Sequence, residues 1–133
     1  MVELLVARSL EQNIFSLTEK IVDRDIASAI AIYRDLILQK EEPIKILAAI
    51  SSQFRLIYQT KELGRRGYSQ AQIASQLKVH PYRVKLAMGQ AQRFSEQEVM
   101  RVMDLLATAD YDMKTGGMNK ELIIELILLR LGS

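Results

Sequence analysis

Residues 95–131 read SEQEVMRVMDLLATADYDMKTGGMNKELIIELILLRL, and this stretch decides the fold. Ser95 and Glu98 stand in the S-x-x-E spacing of a capping box, in which the serine oxygen and the glutamate each satisfy a free backbone N–H at a helix start. Val99, Val102, Met103, Leu106, Ala109 and Met113 then recur at the 3.6-residue period of one helix face. Thr115-Gly116-Gly117 breaks that helix, and Asn119 caps a last one over Lys120 to Leu131. The last helix is apolar nearly all round, with a thin polar stripe at Glu121 and Glu125. A helix of that kind is either central in a core or covered by a partner.

The same period runs upstream. Ile14, Leu17 and Ile21 share a helical face in Asn13–Val22, whereas Val2–Arg8 is ambiguous. Asp23 is the expected N-cap of a helix to about Gln39, with Ile26, Ala29, Ile30, Tyr33 and Leu36/Ile37 inward. Pro43 suits the first turn of the longest helix, to about Leu63, where a missing N–H costs nothing. Leu47, Ile50, Phe54, Ile57 and Tyr58 line its apolar side, and Gly64 and Gly67 end it. Ser69 opens a short helix to about Leu77, and His80-Pro81 another to about Phe94. No convincing alternating run marks a strand. The expectation is an all-α domain, a compact orthogonal or irregular bundle of about six to seven helices.

The 133 residues suffice for one domain, and 49% hydrophobic with 26% charged residues is an ordinary globular balance. There is no cysteine, so disulfides, thiolate zinc sites and cysteine nucleophiles are excluded. No signal peptide is visible, and Leu122–Leu131 is about half the length of a membrane span. The reading is cytoplasmic, with no membrane partner.

Chemistry is sparse. His80 is the one histidine, beside a proline where it reads as a helix cap, and it has no metal-ligand or nucleophile motif around it. Gly64-Arg65-Arg66-Gly67 lacks the spacing of a phosphate-cradling loop. Glu41-Glu42 and Glu121/Glu125 read as solvated or capping groups. Of Met88, Met100, Met103, Met113 and Met118, all but Met100 are spaced for core filling. No catalytic residue, cofactor or metal is assigned.

One local pattern stands out. Ile73-Ala74, Leu77, Val79, Val84 and Ala87 match the buried positions of a helix-turn-helix, although Lys78 holds the turn position often taken by glycine. Its second helix would present Tyr82, Arg83 and Lys85 to phosphates or base edges. Two short helices packed at an angle give the same pattern without nucleic acid, and the pattern alone leaves both readings open.

Several segments together resemble a known family. Asn13-Ile14-Phe15-Ser16-Leu17-Thr18 leads to Asp23-Arg24-Asp25, and Pro43-Ile44-Lys45-Ile46-Leu47 to Gln53-Phe54-Arg55. His80-Pro81-Tyr82-Arg83-Val84-Lys85 precedes Ala91-Gln92-Arg93-Phe94, followed by Ala109-Asp110, Lys114-Thr115-Gly116 and the leucine-rich helix. In this order they resemble the C-terminal domain of the bacterial DNA polymerase III delta subunit, a clamp-loader component. The resemblance implies a collar domain at residues 10–133, with residues 1–9 the tail of a connection from a preceding domain. It implies partners in the tau/gamma and delta-prime subunits, a sliding clamp met only through the preceding domain, and DNA met indirectly through the complex. It also implies a subunit that does not hydrolyse ATP and belongs to a polymerase (a nucleotidyltransferase) by complex membership alone. The expected interface is Leu122, Leu126 and Leu129 on the last helix with Phe54 and Tyr58 on the long one. A domain so rich in apolar surface is also expected to be able to self-associate when isolated.

Overall fold

The computed structural model describes residues 9–132; Val2–Arg8 lies outside them. Seven helices follow one another: α1 (Leu10–Val22), α2 (Ile26–Leu38), α3 (Pro43–Arg65), α4 (Gln70–Leu77), α5 (Pro81–Ala91), α6 (Glu96–Thr115) and α7 (Lys120–Leu131). No strand occurs among the described residues.

Local chemistry sets most helix starts. Ser95/Glu98 forms the expected capping box, and Ser69/Gln72 and Ser9/Gln12 form two more. Asn119 accepts from Leu122 N–H at 3.0 Å, and His80 Nδ1 from Tyr82 N–H at 3.0 Å. Pro43 and Pro81 occupy first turns. The Ser9 box starts α1 at Leu10, three residues before the Asn13 read from the apolar period.

Helix ends required more corrections. Asp23 is the C-cap of α1 rather than the start of α2, because Arg24 turns into the left-handed region at φ 62°. Asp25 caps α2 instead, accepting from Ser28 N–H at 3.2 Å. The first α-helical exit is a Schellman turn, with Arg24 N–H bonded to the Ile21 carbonyl and Asp25 N–H to that of Lys20. Lys40 repeats it after α2, and Gly67 after α3 at φ 91°. Gly64 therefore lies inside α3, which runs on to Arg65. Helix α5 stops at Ala91, short of Phe94, which turns in and stacks on Phe54 with ring centroids 6.2 Å apart.

The long α3 is the axis of the bundle, in contact with α1, α4, α5, α6 and α7. Its Ile46, Leu47, Ile50, Phe54 and Ile57 are buried at the centre of the main core. Burying each such side chain contributes roughly 1.5–3 kcal/mol. A satellite core of Ile73, Ala74 and Val84, with Leu63, Leu77, Val79 and Met88 around it, holds α4 and α5 at the end of α3. Helix α7 packs on α6, α2 and α3. The Tyr33 hydroxyl on α2 donates to the Glu121 carbonyl at 2.9 Å, fixing its first turn.

Candidate subunit interface

The apolar last helix divides into two faces. Ile123, Ile124, Ile127, Leu128 and Leu131 point into the core and are at most 5% exposed. Leu122, Leu126 and Leu129, at i, i+4 and i+7, are 44%, 41% and 56% exposed. They form one outward stripe along α7. Met118, just before the helix, is 49% exposed as well, contrary to the core role its spacing suggested. Met88 and Met103 are partly buried, and Met113 is inside as expected.

Beside the stripe runs an open groove of about 400 Å³ between α6 and α7. Thr108, Ala109 and Asp112 form its α6 wall; Met118, Leu126, Leu129 and Arg130 form the other. Its charged lining residues are Asp112 on α6 and Arg130 on α7; elsewhere on α7, Arg34 of α2 reaches Glu125 at 2.9 Å. At the C-terminal end the Arg101 guanidinium donates to the Arg130 carbonyl at 2.8 Å. The groove thus has an apolar floor with charged margins, the composition of surfaces that bind protein.

The expected α3 contribution divides. Phe54 is 0% exposed and lies inside the core against Phe94, so its side chain does not reach the surface. An aromatic on the apolar period of α3 is drawn inward by the same rule that made it a candidate. Tyr58 is half-buried against the main core and remains accessible at its edge.

The helix-turn-helix residues also separate. Tyr82 is 60% exposed and Lys85 is exposed. Arg83 turns toward Glu11 of α1, 3.6 Å away, and Tyr82 and Arg83 together line a cleft of about 450 Å³ with Phe15, Gln53 and Leu86. Lys78 sits at the turn in the left-handed conformation, φ 57° and ψ 44°. Among the described residues no group of His, Cys, Asp or Glu could hold a metal ion, and no helix is long and apolar enough to cross a membrane.

Comparison with known proteins agrees with this architecture. The family described as "DNA polymerase III delta subunit, C-terminal domain" matches residues 11–131. The DNA polymerase III subunit delta of Bacillus subtilis (strain 168) is 59% identical over 130 residues. That match covers 98% of this chain and 38% of the relative. A solved structure, the Bacillus subtilis DNA clamp loader delta protein, superposes with a TM-score of 0.93 at 59% identity, covering 98% of this chain and 39% of that one. The chain therefore spans about two-fifths of these relatives, and it belongs to the DNA polymerase III delta subunit family, as a C-terminal domain of all-helical architecture.

Proposed function

We propose that this domain is an assembly module. It packs against tau/gamma and delta-prime subunits in the collar of a clamp loader, so that the loader can place a sliding clamp on DNA in the cytoplasm. The observation that carries the reading is the leucine stripe of α7. The bundle already has a filled core on the opposite face of that helix, and yet Leu122, Leu126 and Leu129 stand in water beside an apolar groove. A helix that offers anchors at i, i+4 and i+7 fits a helix-in-groove or helix-on-helix partner. Tyr58 extends the candidate surface onto α3; Phe54 is no part of it. The domain contributes no chemistry: clamp contact belongs to the preceding part of the subunit, and polymerase activity to the complex.

The test is co-purification of full-length delta with the remaining loader subunits. Leu126→Lys with Leu129→Lys should abolish recovery in the complex while melting temperature stays near wild type, since both side chains are already solvated. Full recovery of the complex would sink the interface assignment. In isolation the same stripe should drive weak self-association, read by sedimentation and lost in the double-lysine variant.

A further inference from the structure

From Leu63 to Ser95 the chain has no aspartate or glutamate, yet Arg65, Arg66, Lys78, Arg83, Lys85 and Arg93 all fall there. All sixteen acidic residues lie elsewhere, in a chain whose net charge is only +2. Positive charge without local acids is thus gathered at the end of α3, in the turns that flank α4, and on and just after α5. Three of the six cations bond to acids outside the segment: Arg65 to Glu62, Arg83 to Glu11, and Arg93 to Glu19 and Asp23. Arg66, Lys78 and Lys85 have no ion-pair partner among the described residues.

Two of these three, Lys85 and Lys78, belong to α5 and the turn that precedes it. Val84, Ala87 and Ala91 of α5 are buried, which leaves Tyr82, Lys85, Gly89 and Gln92 along its exposed face. Nothing lies within 4 Å of where a Cβ on Gly89 would stand, so the helix is flat and open at that point. The Gln70 side chain donates to the Pro81 carbonyl at 3.2 Å, tying the start of α4 to the start of α5. Lys78 occupies the tight turn between the two helices.

We propose that this exposed α5 face binds a nucleic-acid backbone directly. Lys85 and Lys78 meet phosphates, and Tyr82 offers a solvated ring on which an unpaired base stacks. Arg83 is left out, because its charge is paired with Glu11 of α1. The face lies on α5 and the turn before it and the leucine stripe on α7, so the inference stands independently of the assembly reading.

The test is fluorescence anisotropy of labelled 20-nucleotide DNA with the full 133-residue chain, in single-stranded and duplex arms, across a salt series. Binding in either arm should weaken linearly in log–log form as salt rises. Lys85→Glu should weaken it about tenfold, and Lys85→Gln should lower the salt slope by about one. Tyr82→Ala should weaken the single-stranded arm more than the duplex arm. Lys114→Glu on α6 makes the same change in net charge and should leave affinity unchanged. A flat titration at low salt overturns the proposal. So do equal losses from Lys85→Glu and Lys114→Glu, or competition by polyglutamate as effective as by DNA. Should Lys85→Glu melt early, Lys85→Gln against Lys114→Gln makes the same comparison.

Discussion

The hydroxyl of Tyr33 on α2 donates to the backbone carbonyl of Glu121 on α7, eighty-eight residues away, at 2.9 Å. Tyr33 is almost wholly buried, so this is the one polar end of a large apolar side chain finding a partner. Tyr33→Phe should cost about 1 kcal/mol in denaturant unfolding, the net value of one such bond. Burial, with the Glu121 and Glu125 carboxylates nearby, also raises the phenol above its ordinary pKa of 10.0. The unfolded phenol ionises near that value and the folded one only above it. Stability from the neutral ring is therefore intact below pH 10 and falls as pH rises beyond it. In Tyr33→Phe the alkaline loss should be shallower; an identical slope would exclude Tyr33 as its source.

Gln53 and Gln90 form a buried pair, with Gln53 Nε2 donating to Gln90 Oε1 at 2.8 Å and Gln90 Nε2 left without a partner. An unmatched buried amide costs more than a matched one contributes. Gln53→Met should be the worse single change, by about 2 kcal/mol, because it strands both ends of Gln90. Gln90→Met should cost less, since it removes an orphan along with the acceptor. The double variant should return to wild-type stability or above. A double-mutant cycle by urea denaturation gives the coupling directly, and strict additivity would refute the pairing.

Lys78 takes the left-handed conformation that makes glycine common at such turns. Its Cβ crowds the backbone there, at roughly 1 kcal/mol for a non-glycine residue. Lys78→Gly should raise the melting temperature and at the same time weaken any nucleic-acid binding, two readouts that move in opposite senses. A lower melting temperature would show that the turn is not strained.

Gly132 closes α7 against the start of α2. A Cβ there would collide with Ile26 Cγ1 and lie 3.2 Å from Ile26 Cβ, so the Ile26 side chain packs into the space that a side chain on this residue would fill. Gly132→Ala should cost about 1 kcal/mol by overpacking. Ile26→Ala should abolish most of that increment when combined with it. If the two costs simply add, the contact is not what limits the site.

Much of the architecture was legible locally. The Ser95/Glu98 box, the Asn119 cap, the prolines at first turns and the glycine break at 115–117 lie where the sequence placed them, because each is a bond or clash within a few residues. The start of α2 moved for a specific reason. Arg24 enters the left-handed region without being glycine, so the turn between α1 and α2 carried no residue that usually marks it. The Ser9/Gln12 box precedes the apolar period, so that period alone marks α1 three residues late.

Sequence by itself determined the helical class, the caps, the lack of cysteine and the excess of leucine in the last helix. Tertiary structure decided which leucines are core and which are surface. A helix apolar all round has no preferred face of its own, so only packing on α2, α3 and α6 turns Ile124 and Leu128 inward and leaves Leu122, Leu126 and Leu129 in water. Packing likewise took Phe54 off the candidate interface, put Met118 on the surface and separated Arg83 from Lys85, because neighbours distant in sequence competed for each side chain.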